Sequence, residues 1–280
     1  MSVDTVVQDI YSLLDKGCEV SDADADAFGA RMAELLKTRL KKRDDKPTLR
    51  FSNIGKSDLE LWFTLKGFKG EQPSPSARMK FLYGDVIEEL LLTLTQLSGH
   101  DVKDRQKQVS IDGVKGHMDA TIDGEVVDVK SASSWGFKKF QEKNLGMDSF
   151  GYIMQISAYA QAVEGKRGSF IAMDKSTGEL CMMGVNEDKM IDVKLRIAHL
   201  KKMLESTTPP TSTCTIKKEE NGNEYLGSPC SYCPQKGNCH PNMRVFQYSD
   251  GLKYFTKVVK PPRVMEITNA IQQGADEQVL

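Results

Sequence analysis

Apolar residues recur at helical spacing through the first third of the chain and in short, turn-bounded runs through the middle, so the sequence predicts a helical lead followed by strands. Residues 1 to 46 read as two helices, the second running from about Ser21 to Arg43 with Phe28, Met32, Leu35, Leu36 and Leu40 on one stripe. Its basic end is either a solvated helix terminus or a nucleic-acid contact. Phe51 to Phe68 reads as a short amphipathic helix capped by Ser52 or Ser57, and Gly67 to Ser76 as a loop. A long core helix follows from about Ser76 to Leu97, carrying Phe81, Ile87, Leu90, Leu91 and Leu94 and stopping at Ser98-Gly99. Between Val109 and Ser131 the period shortens and β-branched residues predict strands. Asp148 to Val163 returns to helix, Ser169 to Asn186 gives two strands around Thr177-Gly178, and Met190 to Leu204 is a last long helix. A Cys-rich tail follows, with residues 265 to 280 as a polar, frayed terminus.

The 280 residues, 39% of them hydrophobic, suffice for one large or two modest cores, which excludes disorder, collagen and small disulfide scaffolds. With 38 basic and 39 acidic residues the net charge is −1, so binding of nucleic acid through bulk charge is disfavoured and a local basic groove stays open. No apolar run approaches the roughly 20 residues of a membrane span, and the first residues lack a basic-then-apolar leader. A cytoplasmic protein with no membrane partner is expected. In a reducing compartment its six cysteines, four of them between Cys214 and Cys239, are metal ligands or buried thiols rather than bridges.

Asp123-Gly124 is a strong two-residue hairpin signal, and it fixes a register. With Ile122 opposite Glu125, Asp119 falls opposite Asp128 at a non-hydrogen-bonded position, where side chains approach most closely. Lys130 lies on the same face as Asp128, and His117 would face Lys130. Two opposed carboxylates need a proton, a cation or a metal, and an oxygen-rich pair suits Mg²⁺ or Mn²⁺. The alternative is an ordinary polar strand face. Tyr152, Gln155 and Tyr159 form one stripe of the following helix that could face the hairpin or the core. Glu88, beside Glu89 and Asp85, is either a third ligand or an exposed position of an amphipathic helix.

Taken in order, Gly84-x-x-x-Glu88, Gly116-x-x-Asp119, Asp128-Val-Lys130 and Gln155-x-x-x-Tyr159 resemble the PD-(D/E)XK nucleases of the RecB-like exonuclease branch, over roughly residues 50 to 240. The resemblance implies an α/β (α+β) fold, a mixed sheet flanked by helices in a restriction-endonuclease-like core. It also implies Mg²⁺- or Mn²⁺-dependent hydrolysis of DNA. Asp119, Asp128 and the Val129 carbonyl look like metal ligands, joined by Glu88; Lys130 looks like the motif lysine that orients the attacking water, and Gln155 and Tyr159 like the pair that contacts the strand. Met118 stands where the name-giving Pro would be. The compact, helicase-free layout is similar to exonucleases that bacteriophages encode for recombination or DNA degradation. An endonuclease, or a dormant nuclease fold that only binds DNA or a partner, are the competing readings. Single strands or duplex ends are the expected ligand, with a second copy of the chain or a phage recombination or replication protein as further partners.

Cys230-x-x-Cys233 followed by Cys239 has metal-binding spacing, and Cys214 is available as a fourth thiolate for Zn²⁺ or a 4Fe-4S cluster, with His240 as a spare ligand. The triplet resembles the iron–sulfur staple of AddB-like and CRISPR-associated RecB-type nucleases. Ser57 stands where those relatives carry an early cysteine, so the fourth ligand falls to Cys214 or Cys18, or is missing. Cys18 and Cys181 otherwise read as buried thiols. The expected organisation is a helical extension at 1–46, a nuclease core at 47–210 and a metal-stapled segment at 211–280 packed on it. Lys138-Lys139 with Phe137 and Phe140, and Lys253 to Lys260 with Arg263, interleave cations with aromatics as a single-strand groove would, or form solvated edges. Ser131 to Gly136 reads as a loop rimming the site.

Overall fold

The computed structural model describes residues 1–41, 46–145 and 150–267. In chain order its helices and strands are α1 (Val6–Lys16), α2 (Asp22–Leu40), α3 (Asp58–Leu65), α4 (Pro75–Leu97), β1 (Val102–Lys103), β2 (Lys107–Ile111), β3 (Val114–Met118), β4 (Ala120–Ile122) and β5 (Glu125–Ala132). There follow α5 (Ser134–Gln141), α6 (Tyr152–Ala162), β6 (Arg167–Asp174), β7 (Leu180–Asn186), α7 (Val193–Glu205), β8 (Ile216–Lys218), β9 (Glu224–Leu226), α8 (Lys236–Cys239), β10 (Arg244–Tyr248) and β11 (Gly251–Lys257). This is the mixed sheet with flanking helices that the resemblance implies.

Serine caps set four of the helix starts. Ser21, Ser57, Ser74 and Ser133 each accept a hydrogen bond from the backbone N–H three residues on, satisfying a donor that the first turn leaves unpaired. The last of these overturns the expected rim loop, because β5 runs to Ala132 and Ser133 then opens α5 directly. The C-terminal part of the expected helix at 148–163 is α6; residues 146–149 lie outside the described ones.

Two compact units divide the chain. The first comprises residues 1–45, 49–55 and 73–197, the second 46–48, 56–72 and 198–280, so both are discontinuous where the sequence suggested consecutive blocks.

In the first unit the five-stranded sheet has the order β1-β4-β5-β6-β7. Only β5 and β6 run parallel, and α5 and α6 supply the crossover between them. Val3, Val6 and Ile10 from the N-terminal helical segment and Ile87, Leu91 and Leu92 from α4 bury one core with Ala120, Ile122, Val127, Val129 and Ile171 of the sheet. The lead helix α1 is thus built into the core. The second helix, α2, buries none of its residues and is tied to α4 by Arg31–Glu89 and Arg39–Asp85 ion pairs. Strands β2 and β3 form a separate ribbon, and Gly116 in it is a packing requirement: a Cβ there would stand 2.6 Å from the buried Phe51 ring.

The second unit carries an antiparallel sheet of order β10-β11-β9-β8 with Phe246 and Phe255 edge to face at 5.3 Å in its core. The Cys-rich tail is therefore sheet-bearing, which its short charged strands concealed. Residues 265–267, expected to fray, pair with β10 through Ile267 N–H to the Val245 carbonyl at 2.8 Å; residues 268–280 lie outside the described ones. Leu59, Trp62 and Phe63 of α3 pack with Met203 and Cys239. No helix among the described residues is long and apolar enough to cross a membrane.

Candidate active site

The hairpin turn forms as its residues require. Asp123 and Gly124 both take positive φ, 51° and 85°, the type I′ combination whose twist matches the strands it joins. The register is the predicted one, with Ile122 opposite Glu125, Thr121 opposite Val126 and Ala120 opposite Val127. The ladder then stops. Asp119 lies one residue beyond it, its carbonyl accepting from Gln106 N–H at 3.0 Å while its Oδ2 accepts from Val129 N–H at 2.7 Å. The chain before Asp119 leaves the main sheet as β3, so His117 pairs with Gln108 and does not face Lys130.

This break opens one edge of β5. The N–H and C=O of a residue in an extended strand point to the same edge, so the Val129 carbonyl faces the side on which Asp119 binds its N–H. The Val129 side chain turns into the core, and Asp128 and Lys130 alternate with it on the opposite face. Asp128 is 1% exposed. Its Oδ2 forms an ion pair with Lys130 Nζ, and its Oδ1 is buried without a hydrogen-bond partner.

Glu88 and Glu89 separate cleanly. Glu89 accepts from Arg31 and from Arg105 Nη1 at 2.7 Å, and so ties α4 to its surroundings. Glu88 accepts from Gln106 Nε2 at 2.6 Å and interacts with Asp119, Asp128 and Lys130. Burial pushes Glu88 up to about 7, with the Gln106 hydrogen bond opposing and the Asp128 and Asp85 carboxylates reinforcing the rise. Asp119 is held well above the usual carboxylate range by burial and then by Glu88 and Asp128. Burial works against the charge on Lys130, yet Asp128 and Asp119 outweigh it and raise its pKa. Three acids and one lysine therefore share a desolvated space.

The α6 stripe closes the group. Tyr152 places its ring 5.2 Å from Lys130 Nζ, Gln155 Nε2 donates to Tyr159 Oη at 3.4 Å, and Tyr159 packs edge to face on Phe51 at 5.6 Å. Burial, followed by the nearby Asp128 charge, raises the Tyr159 hydroxyl. All six predicted side chains are thus neighbours. Gln106 was missed: it stands in a loop with positive φ, where nothing in the local pattern marks it.

The thiols assemble in the second unit. Cys214 donates to Cys230, which also accepts from Thr215 N–H at 3.3 Å. The Cys214 hydrogen bond pulls Cys230 down to about 6, whereas burial pushes Cys233 up to about 12 and Cys239 upward, and Glu60 adds repulsion to all three. His240 Nε2 is buried without a hydrogen-bond partner. Ser57 caps α3, and Cys18 is exposed rather than buried. Among the described residues no three His, Cys, Asp or Glu side chains close around a point as a metal cage. The donors nonetheless suit their expected partners: an oxygen set with an uncommitted Asp128 Oδ1 for a hard cation, and clustered thiols with one lowered pKa for a soft one.

Of the expected single-strand contacts, Phe137 and Phe140 are buried in the core and Phe255 is buried in the second sheet. Lys253 lies over the Tyr248 ring at 4.2 Å and the Tyr225 ring at 5.5 Å.

No family model and no curated protein matches the chain. Among solved structures, SSO0001 is similar with 14% identity and a TM-score of 0.42, over 73% of this chain and 92% of that one. The alkaline exonuclease LHK-Exo from Laribacter hongkongensis, in its complex with dAMP, is similar with 15% identity and a TM-score of 0.37, over 61% and 88%. A phage-related exonuclease from Haemophilus somnus 129PT gives 14% identity and 0.35, over 72% and 92%.

Proposed function

We propose that this protein is a metal-dependent deoxyribonuclease that hydrolyses phosphodiester bonds from DNA ends, in the setting of phage recombination or DNA degradation. The observation that carries the reading is the convergence of Glu88, Asp119 and Asp128 on Lys130 at the open edge of β5. Asp119, Asp128, Glu88 and the Val129 carbonyl would hold Mg²⁺ or Mn²⁺. When bound, such an ion acidifies an attacking water and stabilises the charge on the departing oxygen. Lys130 stays protonated between its acids and offsets negative charge as it builds on the phosphate, besides orienting the attacking water. Gln155 and Tyr159 border this group and are assigned to the scissile strand. A dormant binding protein would have no need for a half-buried lysine held charged among acids.

Cys214, Cys230, Cys233 and Cys239 are assigned to Zn²⁺ or a 4Fe-4S cluster of structural purpose, whose binding supplies folding free energy to short segments. Their side chains take no part in hydrolysis.

The test is a time course of end-labelled linear duplex, matching single strand and closed circular DNA with Mg²⁺, Mn²⁺ or EDTA, comparing wild type with Lys130→Ala. Metal-dependent loss of linear DNA with the circle spared is expected. Cutting of the circle marks an endonuclease, and binding without cleavage in either metal removes the enzymatic reading.

A further inference from the structure

We infer that the protein receives an unpaired DNA strand and that Trp135, with Lys139, is the platform on which its bases stack; the identity of the ligand rests on the nuclease reading above. Tryptophan is highly buried on average, so an open indole asks for a reason. Trp135 is 69% exposed on the first turn of α5. Lys139, one turn further on, places Nζ 3.9 Å from the Trp135 ring centroid, so a π-face and a cation are offered together. That pairing suits a nucleotide, whose base stacks while its phosphate is neutralised.

The platform is joined to the acid cluster by continuous chain. Trp135 is five positions on from Lys130, which places their backbones within about 18 Å of each other. A second aromatic surface starts at the lysine itself: the Tyr152 ring, 5.2 Å from Lys130 Nζ, stacks on Phe150 at 5.4 Å and 18°. Phe150 is 60% exposed and continues that stack outward. On the other flank α4 reaches the same end of β5, where a Cβ on Gly84 would stand 3.2 Å from Ser131 Oγ. Bases inside a duplex have both faces occupied by their neighbours. Only an unpaired strand presents successive π-faces to such surfaces.

The chain has two tryptophans, and Trp62 is 5% exposed, so quenching by a ligand reads Trp135. The full-length protein in EDTA is titrated with a short oligothymidylate and, separately, with a blunt duplex of equal length. Saturable quenching by the single strand, with little by the duplex, is expected. In Mg²⁺, Trp135→Ala should raise KM for single-stranded substrate about tenfold with kcat held, and Trp135→Phe should restore most of it. Lys139→Gln should flatten the salt dependence of single-strand binding by about 0.7 in log–log slope. Equal quenching by the duplex, or an unchanged KM in Trp135→Ala, overturns the platform. Cleavage without quenching sinks the platform alone; quenching without cleavage in any metal upholds it and removes the nuclease reading.

Discussion

Around Lys130, the buried Asp128 and the half-buried Glu88 and Asp119 meet a lysine, a glutamine donor and the Val129 N–H; around Cys230, thiols meet one another and the Glu60 carboxylate. Groups of the chain compensate the acids only in part, since Glu88 and Asp119 stay above the usual carboxylate range and Asp128 Oδ1 has no partner, while the strands hold them in place. The thiols distribute their protons unevenly, Cys230 low and Cys214, Cys233 and Cys239 high, and a bound cation would relieve what the protein does not. Under the proposed function the first cluster serves chemistry on a foundation of strands, and the second is closed by what it binds.

Separate loss of the two clusters should produce opposite phenotypes. Lys130→Ala is expected to lower cleavage by about 10³-fold, whereas Cys230→Ser should leave the chemical step near wild type and strip metal from the purified protein. Single-turnover rates and metal analysis on both variants would break the comparison if the effects were exchanged. Asp128→Ala removes the partner of a half-buried lysine and should cost about 3 kcal/mol in denaturant unfolding. EDTA should abolish cleavage with little change in Tm. Forced release of the thiol-bound metal should lower Tm by several degrees or more.

A smaller effect is the pH dependence of Glu88. Its folded pKa of about 7 lies above the ordinary 4.5, so the folded state binds the extra proton between those values and stability in EDTA falls as pH rises through that window. Glu88→Gln should remove a decline on the order of 3 kcal/mol between pH 4.5 and 7, measured by unfolding at each pH. Glu89→Gln weakens the Arg31 and Arg105 contacts and should cost only about 1 kcal/mol while cleavage persists. Equal loss of activity in both variants would erase the division of labour along α4.

That division shows where the sequence stopped being legible. Asp123-Gly124 announces its turn because few residues accept positive φ, and the turn carries the register and hence Asp119, Asp128 and Lys130 with it. Glu88 and Glu89 are adjacent on a half-buried helix, and their assignment depends on Gln106, Arg31 and Arg105, which no local pattern connects to them. The departure of β3 at Asp119 was equally hidden, since the apolar alternation runs on through His117 without marking a change of partner. The second sheet escaped because strands of three residues, such as Ile216–Lys218, are too short to show a period.

The end of the β4 ladder at Ala120 has one more consequence. Had β4 continued for two residues as a regular neighbour, the Val129 N–H and carbonyl would have been consumed by backbone partners, and Asp119 would have projected from an ordinary strand. The candidate site is a missing rung. What the fold contributes at this point is a neighbour withheld, and any substitution that let the strand zip onward would close the notch without touching an acid or the lysine.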